Sequence, residues 1–271
     1  MKAKDFLYGE RTLSSFGCVI CNFGNKGLET IDGAEITFNT ISSFGGSKYN
    51  LTSTQYESCL ESTIQICKYS CKTNIQEISP TEYREISRWL NRKKFLKLKI
   101  FDEQYIDIYY YATVASINRI EIDGRLMGLE LHIITDSPHA FKEPKVLVRK
   151  NPDGENGEWN CSISDISYEE GFIYPYTEIT IGDIGADKGN LSIYNALENR
   201  ETYIANCTTG EIITMDYPII TSSDSSHKIQ NDFNWNFFRV ANTYKNNRND
   251  LTISIPCTIK IKYSPIVKVG L

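Results

Sequence analysis

Ser79-Pro-Thr-Glu-Tyr-Arg-Glu-Ile-Ser-Arg-Trp-Leu90, followed closely by Phe95-Leu-Lys-Leu-Lys-Ile100, decides the architecture of the first half of the chain. Ser79 is a natural N-cap, Pro80 suits the first helical position, and Glu82 completes a Ser-x-x-Glu capping box. Tyr83, Ile86 and Leu90 share one helical stripe. Acidic Glu82 and Glu85 at the start, with Arg88 to Lys94 at the end, complement the helix dipole. The pattern predicts a helix from Pro80 to about Lys93. The period then changes from helical to alternating. Leu96, Leu98 and Ile100 lead out, Asp102-Glu103-Gln104 turns the chain, and Ile106, Ile108 and Tyr110 return, so a hairpin is expected.

Working outward, Ile120 and Ile122 run into Asp123-Gly124, with Leu129, Leu131 and Ile133 coming back. Asp-Gly suits a type I′ turn, which needs positive φ at both central residues. Upstream, Ala34 to Thr40 and Ser62 to Tyr69 read as strands, and Ser42 to Ser47 as a loop. Downstream, Ser137-Pro-His-Ala-Phe-Lys-Glu-Pro144 is the candidate boundary. Beyond it, short strands follow at close intervals: Ile179 to Ile181, Leu191 to Asn195, Thr202 to Cys207, Glu211 to Met215, Phe237 to Val240 and Leu251 to Tyr263. No strong amphipathic helix interrupts them, so this half reads as a β-sandwich. The expected class is mainly β, with a helix-bearing sandwich or roll at residues 1–141 and a second sandwich at residues 142–271.

Composition agrees. The 271 residues include 17 Tyr and 12 Phe, which favour strands. Net charge is −5, with 29 basic and 34 acidic residues, against a phosphate-binding surface. Arg92-Lys93-Lys94 is the densest basic run, and it also suits a helix end. Met1-Lys-Ala-Lys-Asp5 is followed by no apolar leader, and no run of about 18 apolar residues occurs. A soluble chain folded in a cytoplasm is expected, with its eight cysteines reduced. Recognition of a nucleic-acid sequence and membrane insertion are not expected.

Few residues offer chemistry. Cys18-Val-Ile-Cys21 and the looser Cys67-Lys-Tyr-Ser-Cys71 are open to three readings: zinc ligands, a redox pair, or small buried hydrophobes. The last is favoured, because strand residues three apart face opposite ways. The three histidines are His132, His139 and His227. His132 lies opposite Leu131 and Ile133 in an alternating strand, and His139 follows the boundary proline. His227 closes a Ser/Asp-rich stretch that reads as a solvated connection. None sits in a hydrolase or metalloprotease motif. Adjacent carboxylates such as Glu169-Glu170 point apart on a strand, unlike a glycosidase pair. No catalytic residue, cofactor or metal site is expected. Trp159 and Trp235 could stack on sugar rings, against a favoured reading as core aromatics.

The order of these features resembles the phage distal tail proteins, the Dit family. In the first half the resemblance is carried by Thr63-Ile-Gln-Ile-Cys-Lys68, the capped helix with Ile86-Ser-Arg-Trp-Leu90, Phe95 to Ile100, Tyr109-Tyr-Tyr-Ala-Thr-Val-Ala115, Ile120 to Gly124, Met127-Gly-Leu-Glu-Leu131 and Asp136 to Phe141. In the second it rests on Leu191-Ser-Ile-Tyr-Asn195, Gly210 to Asp216, Asp232-Phe-Asn-Trp235, Phe238-Arg-Val240, Asn249 to Ile253 and Tyr263-Ser-Pro265. The resemblance implies a hexameric ring formed by the N-terminal domain, with a galectin-like (jelly-roll type) sandwich outside it. It further implies a place at the virion tail tip or baseplate. Implied partners are further copies of the chain, the tail tube, the tape-measure protein, the hub or tail-associated lysin, and receptor-binding proteins. It implies no catalytic residues. Lys97, Lys99, Tyr109 and Tyr111, on the hairpins beside the helix, are the candidate ring contacts. Trp159 and Trp235 are the candidate aromatic contacts of an alternative, carbohydrate-binding role.

Overall fold

In the computed structural model of the protein, Ser79 accepts a hydrogen bond from the Glu82 N–H, and the Glu82 carboxylate accepts one from the Ser79 N–H. This reciprocal cap starts the helix Pro80–Leu90 where the sequence predicts it. The helix ends before Lys93. Asn91 turns to an extended conformation, and the Arg92 guanidinium donates to the Trp89 carbonyl at 3.1 Å. The run Arg92 to Lys94 therefore lies beyond the last turn. Ile86, Trp89 and Leu90 are the buried helical residues, and Tyr83 is half-buried under the Arg119 guanidinium. The structure describes residues 3–24, 35–42, 48–69, 77–103, 106–151, 157–185, 188–243 and 245–269. The expected Ser43 to Ser47 loop, Ala34 and Cys71 lie outside them.

Trp89 joins the helix to its sheet. Its indole stacks on Phe16 (centroids 4.6 Å apart) and Phe6 (5.7 Å), and meets Tyr8 edge-on. Its Nε1–H donates to the Tyr8 carbonyl at 3.0 Å. A buried indole keeps its one donor satisfied in this way.

The chain divides into two compact units, Met1–Lys142 with Val267–Leu271, and Glu143–Ile266. In the first, an antiparallel sheet runs in the order Arg11–Thr12, Phe6–Tyr8, Leu96–Ile100, Ile108–Ile122, Arg125–Thr135, Glu61–Lys68 and Cys18–Cys21. Asp123 and Gly124 take φ of 52° and 73°, as a type I′ hairpin requires. The hairpin Ile36–Ser42 and Tyr49–Tyr56 forms a separate two-stranded sheet.

In the second unit, a five-stranded sheet (Lys145–Lys150, Cys257–Tyr263, Tyr176–Ile181, Ile212–Asp216, Ile219–Ser222) and a four-stranded sheet (Trp159–Ser164, Arg248–Ile253, Gly189–Asn195, Arg200–Cys207) share one core. Strands such as Tyr176–Ile181 bury alternate residues, the signature of a sandwich. Phe237 and Phe238, expected in a strand, are buried just ahead of the short strand Val240–Asn242. Asn249 is a buried polar hub. Its Oδ1 accepts from Asn195 Nδ2 (2.8 Å) and the Ala241 N–H (2.9 Å), and its Nδ2 donates to the Ala241 carbonyl (2.9 Å). Both faces of the amide are thus used inside an apolar core.

Candidate functional site

Lys97 and Lys99 stand on Leu96–Ile100, on the face opposite Leu98 and Ile100, which enter the core. Lys97 faces Tyr111 across the sheet, and its Nζ lies 4.2 Å from the Tyr109 ring centroid. Tyr109, Tyr111 and Phe141 cluster at 5.4–6.0 Å on that face. Tyr111 is 40% exposed, whereas Tyr109 is 1% exposed. Tyr109 is therefore not a surface contact. The lysine stem and the two neighbouring rings cover it.

Trp159 takes the favoured core reading and not that of an aromatic contact. It is 2% exposed and its Nε1–H donates to the Ile255 carbonyl, so it closes the sandwich core. Trp235 is 57% exposed.

The histidines divide. His132 is half-buried, with Nε2 3.5 Å from Glu61 Oε2. His139 is buried and meets the Tyr56 ring edge-on at 4.7 Å. His227 overturns the solvated-loop expectation. Its side chain is 1% exposed, Nδ1 lies 2.6 Å from Glu211 Oε1, and Nε2 faces Asp232 Oδ2 at 3.3 Å. Glu211 also accepts from the Thr208 N–H and the Ser222 hydroxyl. Ser222 donates to the carboxylate rather than to the imidazole, so no activated nucleophile results. The cluster fastens a loop. Its weak sequence signal was Thr208-Thr-Gly-Glu211, a tight turn delivering a carboxylate to the interior.

Cys18 and Cys21 face opposite sides of their strand, and burial pushes the Cys18 thiol up to about 11. Among the described residues no cluster of His, Cys, Asp and Glu could hold a metal ion. No described helix is long and apolar enough to cross a membrane.

The first unit also offers exposed apolar surface. On the separate hairpin, Phe38 (63%), Ile41 (63%), Tyr49 (69%) and Leu51 (57%) are exposed. Neither of its strands contains a charged residue. Strand edges left open in this way pair or pack with another surface unless charge or proline blunts them.

The arrangement matches known tail components. A family model described as the phage tail protein N-terminal domain covers residues 1–137, and its companion, the phage tail C-terminal domain, covers residues 155–263. The chain belongs to this phage tail protein family. The fold is similar to that of the Dit protein of phage SPP1, described as a paradigm of the hub adsorption apparatus in phages infecting Gram-positive bacteria. That likeness has a TM-score of 0.62 at 10% identity and covers 97% of this chain and 99% of that one. A chain of the phage p2 baseplate in its activated, strontium-bound conformation is similar at a TM-score of 0.50 and 9% identity, over 96% of this chain and 98% of that one. No curated protein sequence matches the tail protein significantly. The tail protein is mainly β, with the Dit fold across both units.

Proposed function

We propose that the tail protein is a distal tail component whose copies close into a hexameric ring at the virion tail tip, joining the tail tube to the hub and receptor-binding apparatus. The observation that carries this reading is the end-to-end fold correspondence with a single Dit chain, at 97% and 99% coverage. The first unit, Met1–Lys142 with Val267–Leu271, forms the ring, and the second, Glu143–Ile266, is a galectin-like sandwich. The role is structural, without catalysis. Tape-measure protein and tail-associated lysin are further partners.

A closed ring needs two different surfaces on each copy that meet under rotation. The hairpin, whose strands carry no charged residue, supplies one apolar surface through Phe38, Tyr49 and Leu51. The face bearing Lys97, Lys99 and Tyr111 supplies a second, and the 41%-exposed Phe101 adds apolar area to this unit's surface. Size-exclusion chromatography with light scattering tests the reading. The native chain elutes as a hexamer, and the double variant Lys97→Glu with Lys99→Glu shifts to smaller species. A variant that stays hexameric refutes this interface.

A further inference from the structure

Cys21, from one cysteine motif, lies against Cys67, from the other. Cys18–Cys21 is the terminal strand of the first unit's sheet, and its neighbour there is Glu61–Lys68. Val19 stands opposite Cys67 and Cys21 opposite Gln65, so Cys21 and Cys67 are diagonal neighbours across the two strands. They share one face. Cys18, Ile20, Ile64 and Ile66 alternate with them and enter the core, whereas Cys21 and Cys67 are half-buried on the outer side. The two thiols are hydrogen-bonded to each other.

The register that brings them together is fixed from three directions. The Ile20 N–H donates to the Lys4 carbonyl at 3.0 Å, and the Tyr69 N–H to the Gly17 carbonyl at 2.8 Å. The Phe23 N–H donates to Gln65 Oε1 at 2.9 Å. A slip of one residue would send the two thiols to opposite faces, and these bonds oppose it. Cys18 takes no part. It is 2% exposed and faces the core, so the C-x-x-C spacing is not the redox pair.

We infer that Cys21 and Cys67 form a disulfide when the tail protein passes from the reducing interior of a cell to the oxidising exterior, stapling the terminal strand to its neighbour. Folding delivers the pair as free thiols. The oxidant is a low-molecular-weight disulfide. One cysteine gives its proton to solvent and attacks, forming a mixed disulfide and releasing one small thiol. The second cysteine then attacks the protein sulfur of that mixed disulfide, and the second small thiol leaves. The protein pair loses two electrons and the reagent gains two. Burial, and after it Cys67 itself, pushes the Cys21 thiol well above the usual cysteine range. Cys67 therefore attacks first and Cys21 resolves.

The staple has a place in the fold. Residues 22–66 leave the sheet and return to it, and they carry the hairpin Ile36–Ser42 and Tyr49–Tyr56. A Cys21–Cys67 bridge closes that excursion at its base and restricts the unfolded chain. A diagonal pair is wider than the commonest disulfide span. A terminal strand, with one neighbour in its sheet, can shift to close it.

The test is oxidation of the full chain, purified under reductant, by oxidised glutathione, followed by alkylation, digestion without reduction and mass spectrometry. A peptide pair linked through Cys21 and Cys67 is expected, with two of the eight thiols lost. The melting temperature of the first unit should rise by about 5–10 °C and fall back on reduction. Cys21→Ser and Cys67→Ser should each abolish the linked peptide and the rise. Cys18→Ala should keep both, measured against its own reduced form. Both cysteines alkylated after oxidation overturn the inference, as does linkage of either to Cys18, Cys59 or Cys71. Glutathione adducts without a bridge overturn it too, and so does a bridge that leaves melting unchanged. The inference goes beyond the ring reading and does not depend on it, because that reading is judged by oligomeric state.

Discussion

His227 Nδ1 and Glu211 Oε1 lie 2.6 Å apart, and the two side chains are 1% and 0% exposed. The pair locks the loop after Ile219–Ser222 onto the turn ahead of Ile212–Asp216. Its energetic weight lies in the carboxylate, which also accepts from the Thr208 N–H and the Ser222 hydroxyl. Removing one partner strands the other in a dry site. His227→Ala should cost about 3–5 kcal/mol, read as a lower urea midpoint for the second unit. An unchanged midpoint would show that water enters and takes over the imidazole's role.

Trp89 organises the first unit in the same sense. Trp89→Ala removes an indole stacked between Phe6 and Phe16 and leaves the Tyr8 carbonyl without its donor. A loss of about 3–5 kcal/mol is expected. In calorimetry the transition of the first unit should fall in temperature while that of the second holds.

The helix start gives a prediction with a pH signature. Lys68, 2.7 Å from Glu82, together with the Ser79 cap, holds the Glu82 carboxyl below the usual glutamate range. A folded-state pKa depressed below the unfolded one contributes stability above the unfolded value, and that stability is lost as pH falls through the folded value. The advantage of the native chain over Glu82→Gln should therefore be present near neutrality and vanish in acid, below about pH 4. Glu82 is about one-third exposed, so solvent screening keeps the effect within about 1 kcal/mol. Ser79→Ala, by contrast, should cost about 1 kcal/mol at any pH above that range.

The hairpin Ile36–Ser42 and Tyr49–Tyr56 should matter to assembly and not to the monomer. Ile41→Asp with Leu51→Asp changes two side chains that are 63% and 57% exposed. Chemical denaturation should move by less than about 0.5 kcal/mol per site, while light scattering shows the oligomer lost. A stable oligomer in this variant would place the contact elsewhere on the unit.

Local chemistry explains what could be read ahead of the structure. The Ser79–Glu82 cap and the Asp123-Gly124 turn satisfy backbone requirements within a few residues, so their sequence signals are self-sufficient. The helix ends earlier than its charges suggest, because Arg92 reaches back to the Trp89 carbonyl from outside the helix and its charge reads the same in either position. Tyr109 and Tyr111 have one sequence pattern. The Lys97 ammonium, from another segment, lies over the ring of the first, which is buried, while the second stays exposed. Trp159 and Trp235 differ likewise through the Ile255 carbonyl and the turn at Asn234. His227 reads as solvated in the sequence because its partner Glu211 lies sixteen residues away across a turn, while its near neighbours are serines and an aspartate.

Negative-stain electron microscopy of the purified protein tests the central claim most directly. The account predicts class averages of closed rings with six-fold symmetry. Particles that remain monomeric, or that close with another symmetry, contradict it.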